Sequence, residues 1–196
     1  TKDFNLKKFT FEINLKSFND SVLRRYDQFN SDKTKNNEIL IDKSLENFIN
    51  IESIIRIFPN AKFLHTFRNP IDSVISIYQS MLAELAWTHS IEDILNYMDY
   101  YYKAVNYFKK KYPKNFFELD LEKFSNTPEK IAKDIYKFCN LTWTEDSLNF
   151  YKRRDLFSKT LSYTQIRNKI TKYDSKKYEN YFYLLERYKK KYEWLK

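Results

Sequence analysis

Two side chains in this 196-residue sequence have the types and the setting to hold an anion. Arg68 ends the apolar run Ala61-Lys62-Phe63-Leu64-His65-Thr66-Phe67, which has the length of a strand, and Ser76 follows eight positions later. Between them Asn69-Pro70 is a helix start: Asn caps the first N–H groups, and Pro sits at the first helical position, where its missing donor costs little. An Arg at a strand end can grip phosphate or sulfate through two parallel hydrogen bonds, and a Ser on the second turn can add a hydroxyl. The helix rises about 9 Å from Pro70 to Ser76, a distance that a phosphate plus an Arg side chain can span. The competing reading is local, with Arg68 paired to Asp72 and Ser76 merely packed.

A second cation, Lys43, stands in a similar setting. It follows Glu38-Ile39-Leu40-Ile41, an apolar run of strand length, and precedes Phe48, Ile51, Ile54, Ile55 and Phe58 at helical spacing. Pro59 stops that helix. Ligands of open parallel sheets bind at the carboxyl ends of strands, beside helix N-termini that favour anions. Lys43 and Arg68 at two such ends outline a phosphate or sulfate site, with an exposed loop lysine as the alternative for Lys43.

The elements that must position these residues alternate. Strand 61–67 leads into a helix with Ile71, Val74, Ile75, Tyr78 and Leu82 on one face. A helix over 91–111, a strand at 116–119 and a helix over 128–139 follow, the last opened by Thr127-Pro128-Glu129 in a second cap-then-proline signal. Residues 145–151 and 176–194 also carry helical spacing, the latter with Tyr178, Tyr181, Phe182, Leu185 and Tyr188 on its buried side. Alternation of this kind predicts an α/β fold with a parallel sheet covered on both faces. Residues 1–37 carry only weak helical spacing and are expected to form a poorly interpretable N-terminal segment, with the single domain covering 38–196.

Composition narrows the function classes. The net charge of +9 and pI near 9.3 would attract nucleic acid, yet runs such as Lys109-Lys110-Lys111 and Lys189-Lys190-Lys191 fall at helix ends, where cations offset the dipole. No nucleic-acid partner is expected. Two His and one Cys leave no structural zinc site, and no metal is expected. Cys139 falls near an apolar stripe as a small buried hydrophobe, and a reducing, cytoplasmic setting follows from the absence of any disulfide framework. No apolar run approaches the ~20 residues of a membrane span. The chain has no Gly at all, and Gly-rich phosphate loops depend on backbone conformations that Gly adopts most cheaply. The oligomeric state cannot be read from these features.

The stretch from Phe58-Pro59-Asn60-Ala61 through Arg68-Asn69-Pro70-Ile71-Asp72-Ser73-Val74-Ile75-Ser76 resembles the 3′-phosphate-binding motif of sulfotransferases that use 3′-phosphoadenosine 5′-phosphosulfate (PAPS). It is most similar in flavour to the tyrosylprotein sulfotransferases and to bacterial sulfotransferases often fused to tetratricopeptide repeats. The resemblance covers about 41–181 and implies a P-loop-like nucleotide-binding fold with a central parallel sheet flanked by helices, in which Arg68 and Ser76 hold the 3′-phosphate. Asp42-Lys43 with Asn47-Phe48 resembles the segment whose Lys stabilises charge on the sulfuryl group, so Lys43 is implied as a catalytic residue. Ser162-Tyr163-Thr164-Gln165-Ile166-Arg167 resembles the family's Ser-x-x-Gln-Val-Arg segment, and Lys177-Tyr178-Glu179-Asn180-Tyr181 its basic-Trp-x-x-Tyr helix start; both imply contacts from Ser162 and Lys177 to the donor's phosphate end.

The implied co-substrate is PAPS and the implied partner an acceptor hydroxyl on a peptide, sugar or small molecule. Departures from the pattern are specific. Leu121 stands where an adenine-contacting Tyr is usual, Leu45 and Lys169 where prolines are usual, and Tyr178 where a Trp is usual. With no Gly, the N-terminal strand and 5′-phosphosulfate loop of the fold are expected to be missing. A non-catalytic nucleotide-binding or scaffold descendant of the fold is the alternative.

Overall fold

A computed structural model describes residue 39, residues 41–153 and residues 165–195. It divides into two compact units, Thr1–Ala61 and Lys62–Lys196.

In the first unit a 3-10 turn at Asn47–Ile49 leads into α1, Ile51–Ile57, with Phe48 and Ile51 buried. Phe58 caps α1 ahead of Pro59, as the proline requires. The strand expected over 38–41 is not found at its described residues. Ile39 and Ile41 carry no regular structure and are 64% and 83% exposed, so no sheet neighbour among the described residues buries these two side chains.

The second unit holds the sheet. Strands β1, Phe63–Phe67, and β2, Phe116–Asp120, run parallel in the register Phe63 to Phe116 through Phe67 to Asp120. Successive side chains point to opposite faces, so Phe63, His65 and Phe67 share a face with Phe116 and Glu118. Helix α3, Ile91–Lys111, lies on that face: Tyr101 meets the His65 ring nitrogen Nε2, and Lys109 pairs with Glu118. Burial beside α3, aided by the Lys109 charge, holds the His65 imidazole below its ordinary pKa. On the opposite face Phe117 packs against Phe138 of α5, Pro128–Phe138, with ring centroids 5.5 Å apart. The described residues thus form a mixed α/β unit whose two-stranded parallel sheet has helices on both faces.

Helix α2, Pro70–Ser80, joins β1 to the core through Ile71, Val74 and Ile75. Its partners are Ile94, Leu95 and Met98 of α3 and Tyr178, Leu185, Tyr188, Tyr192 and Leu195 of the C-terminal segment. That segment winds as tight 3-10 turns at Glu179–Tyr188 and Glu193–Leu195. It is tied along α3 by hydrogen bonds from Tyr188 Oη to Glu92 (3.2 Å), Tyr192 Oη to Asn96 (2.7 Å) and Trp194 Nε1 to Asp99 (3.3 Å). Leu185 has no solvent exposure. Leu185→Ala is expected to lower the unfolding free energy by about 2–5 kcal/mol, the range for deleting a buried Leu, as measured by urea denaturation.

Helix ends show how a chain without Gly turns. The left-handed conformation that Gly usually supplies is taken by Met81 at the C-cap of α2 (φ 38°) and by Asn140 after α5 (φ 57°). Asn tolerates it, while a Met there stores strain of order 1–3 kcal/mol. Cys139 caps α5 half-buried rather than fully enclosed, and burial raises its thiol pKa.

Candidate anion site at the end of the first strand

The site begins where β1 ends and α2 starts. Asn69 Oδ1 accepts from the N–H groups of Ile71 (2.8 Å) and Asp72 (3.4 Å), Pro70 has none to give, and Ser73 N donates to Asn69 O (3.1 Å). The backbone donors of the first turn are therefore engaged by the cap itself. An anion at this end must be held by side chains rather than by the helix N-terminus, which corrects the expectation that the N-terminus would serve.

Arg68 and Ser76 are both half-buried and belong to one neighbourhood. The Arg68 Nε donates to Ser73 Oγ at 3.4 Å, and Ser73 Oγ donates in turn to the Asn69 carbonyl at 3.1 Å. The alternative pairing of Arg68 with Asp72 is not what forms. Asp72, 1% exposed, accepts from the Tyr173 hydroxyl, while its second oxygen Oδ1 is buried without a hydrogen-bond partner. Burial first, and the Asp72 carboxylate second, push the Tyr173 phenol well above its ordinary pKa. Tyr173 N donates to Ser125 Oγ at 2.9 Å, so the chain after residue 170 is fastened to both α2 and α4, Leu121–Asn126.

Beyond Tyr173 the chain brings Lys177 and Tyr178 to the second turn of α2. Lys177 is exposed, with its Nζ 5.0 Å from the centre of the Tyr178 ring. The Tyr178 ring is 6% exposed, within the core cluster that includes Ile71, Val74 and Ile75 of α2. Burial alone would raise this phenol's pKa. The Ser76 and Lys177 hydrogen bonds and the charges of Lys177 and Arg68 outweigh it, so the pKa lies below the ordinary value.

Of the sequence-derived residues, Arg68 and Ser76 thus flank the start of α2, and Lys177 lies beside the Tyr178 ring that packs against that helix. Lys43 stands exposed in a loop of the first unit, where Asp42 accepts from Asn47 Nδ2 at 3.2 Å. Ser162 lies outside the described residues. Leu121 opens α4 directly after β2, its helix capped by Asp120 Oδ1, which accepts from Glu122 N (3.0 Å) and Lys123 N (3.2 Å). Ser73 and Tyr178 are neighbours of these residues that motif reasoning passed over. The signal for Ser73 is its place on the first turn, and for Tyr178 its place next to Lys177.

The family model described as "Sulfotransferase family" matches residues 8–145. The match takes in more than half of the chain, β1, α2 and β2 included, and the chain belongs to the sulfotransferase family. An uncharacterized protein of Aquifex aeolicus (strain VF5) is 29% identical to it over 153 residues, 72% of this chain and 19% of that protein. The chain thus spans less than a quarter of that relative. The family's fold is P-loop-like, and the β1–β2 pair flanked by helices is of that kind. Among the described residues no helix is long and apolar enough to cross a membrane.

Proposed function

We propose that the end of β1 is the 3′-phosphate site of a sulfotransferase that takes PAPS as donor and a hydroxyl as acceptor. One observation supports the reading: Arg68 ends β1, Ser76 lies on α2 just beyond it, and Tyr178, packed in the core against α2, brings Lys177 to the same region with its Nζ 5.0 Å from the Tyr178 ring. Such a donor set of guanidinium, ammonium and hydroxyl suits the oxygens of a phosphate.

PAPS supplies an activated sulfuryl group, whose S–O bond to the 5′-phosphate breaks as the acceptor oxygen attacks sulfur. The chain's own residues act away from that bond. Arg68 turns its guanidinium from Ser73 to two phosphate oxygens, Ser76 donates its hydroxyl to a third, and Lys177 adds charge from the open side. Fixing the 3′-phosphate restricts the donor to one pose and so contributes through positioning. Lys43 and Ser162 are assigned to the charge that gathers on the bridging oxygen, on the strength of the motif resemblance. The acceptor is a peptide, sugar or small molecule.

Calorimetry with adenosine 3′,5′-bisphosphate beside adenosine 5′-monophosphate tests the reading. The bisphosphate is expected to bind at least about tenfold more tightly, since a charge-assisted contact contributes roughly 1.5–3 kcal/mol. Equal affinity for the two nucleotides ends the proposal.

A further inference from the structure

The parallel pair has two ends, and the anion site occupies only one of them. At the other, Lys62 precedes β1, Lys110 and Lys111 close α3, Lys114 precedes β2, and Lys137 lies in the last turn of α5. All five are exposed. We propose that this lysine-lined end of the sheet is a docking face for a membrane surface that carries anionic lipid.

Measured contacts gather the five at one end. Lys62 Nζ donates to the Lys114 carbonyl at 3.3 Å and lies 4.9 Å from the centre of the Phe138 ring, which joins the starts of both strands to the end of α5. Lys137 is the neighbour of that Phe. Lys111 Nζ lies 5.7 Å from the ring centre of Tyr107 and 5.2 Å from that of Tyr112, and Asn115 N donates to Tyr112 O at 3.0 Å, so the end of α3 passes directly into the turn that carries Lys114. The stacked rings of Phe63 and Phe116, 5.1 Å apart, lie at the start of the two strands beside them.

The sequence supplies this end with charge of one sign. Between Asp99 and Glu118 every charged residue is a Lys, and between Asp134 and Glu145 the sole charged residue is Lys137. The acids at the edges of the first stretch are engaged, Asp99 with Lys103 and Glu118 with Lys109. The dipoles of α3 and α5 account for cations in their last turns, but Lys62 and Lys114 precede strands and have no such reason to be there. Like charges crowded on one face repel, and an anionic partner relieves that cost.

The chemistry favours a lipid surface over a nucleic acid. The cluster is built of Lys alone, without the guanidinium fork that grips phosphates and base edges in pairs of bonds. Ammonium groups lie over the rings of Tyr107, Tyr112 and Phe138, the faces on which bases would stack. Lysine stems and the half-exposed Tyr107 instead make an apolar underside with charge above it, a combination that a headgroup layer accommodates. Clusters of about four to eight lysines are of the size that holds anionic lipid. Six residues of extended chain separate Lys62 from Arg68, about 20 Å, so a membrane at this end leaves the anion site open to solvent.

The test is co-sedimentation of the 196-residue chain with vesicles of phosphatidylcholine, alone or with about one third phosphatidylserine. Two variants remove equal charge. One changes Lys110, Lys111, Lys114 and Lys137 to Gln and keeps Lys62, which packs on Phe138; the other changes the exposed Lys172, Lys176, Lys190 and Lys191, on the segment tied to α2 and the first half of α3. The first is expected to bind the anionic vesicles at least about thirtyfold more weakly, since each Lys at such a surface contributes a factor of about five, and the second less than about fivefold. Wild type is expected to ignore pure phosphatidylcholine and to leave the anionic vesicles as salt rises toward about 0.5 M. Amine labelling of the wild type reads the same face if a variant does not fold: vesicles should protect Lys110, Lys111 and Lys114 and leave Lys172 and Lys190 reactive. Equal losses from the two variants, or uniform protection, would show attraction by net charge alone and overturn the face. Failure to bind anionic vesicles, with or without capture of duplex DNA by the same lysines, overturns the lipid surface as its partner. Neither result bears on the 3′-phosphate reading, which lies at the other end of the sheet.

Discussion

Arg68→Ala lowers the affinity for adenosine 3′,5′-bisphosphate by about a hundredfold, whereas Ser76→Ala lowers it by no more than about tenfold. The ranking follows from what each side chain gives. A guanidinium offers two charge-assisted bonds in a fixed fork, each contributing roughly 1.5–3 kcal/mol, and a hydroxyl offers one neutral donor. The fold should tolerate both changes. Arg68 is half-buried and bonded to the Ser73 hydroxyl at 3.4 Å, a contact near the limit of a hydrogen bond, and the core residues of α2 lie on its other face. Calorimetry on both variants, with circular dichroism to show that each is folded, gives the comparison. A larger loss from Ser76→Ala would sink the assignment of Arg68 as the main phosphate contact.

Residues 1–196 by themselves are expected to transfer sulfate at least about 10²–10³-fold more slowly than a longer chain that supplies a Gly-bearing phosphate loop. During transfer, negative charge gathers on the oxygen between sulfur and the 5′-phosphate. Folds of this kind stabilise it with backbone N–H groups of a tight loop, whose close approach relies on Gly. This sequence has none. Among the described residues, the left-handed conformation is taken by Met81 and Asn140, single turns at helix ends. Lys43 and Ser162 would remain, and the loss of even one well-aimed donor commonly costs ~10²–10³ in rate. A radiolabelled-sulfate assay over phenolic, tyrosyl and sugar acceptors, run beside an extended chain, makes the measurement. Robust transfer by the short chain would show that the loop is replaced by residues within it. No transfer by either chain would favour a binding protein descended from the family.

What could be read from the sequence was what local chemistry decides. Asn69 and Pro70 start α2 through bonds made within four residues, and both strands of the pair and the 21-residue α3 fall close to their expected positions. The second cap-then-proline signal was half right. Pro128 opens α5, yet the Thr127 hydroxyl donates backward to Lys123 O at 3.2 Å instead of capping forward. The C-terminal stretch shows why spacing fixes a face better than a helix type. Tyr178, Leu185 and Tyr188 are buried as expected although the turns are 3-10, while Tyr181, expected on the same side, is 43% exposed. Arg68, Ser76 and Lys177 were singled out by motif resemblance, but the packing of Tyr178, with Lys177 beside it, against α2 was not legible. It depends on Tyr173 reaching Asp72 across 101 residues of sequence, and no local pattern encodes that contact. At Ile39 and Ile41 the apolar pattern misled because strand propensity reports a surface that needs a partner, not the presence of one.

The Tyr173–Asp72 contact also gives the site an order of assembly. A chain made from its N-terminus presents Arg68, Asp72 and Ser76 early, all three inside the stretch that matches the family. At that stage the Asp72 carboxylate has no Tyr173 to shield it, the apolar side of α2 has no Leu185 or Leu195 against it, and Ser76 has no Tyr178. All of these arrive together with residues 173–195. The cluster around the start of α2 is therefore a late product of synthesis, and a nascent or clipped chain ending near residue 145 would display the motif without the residues that pack against it.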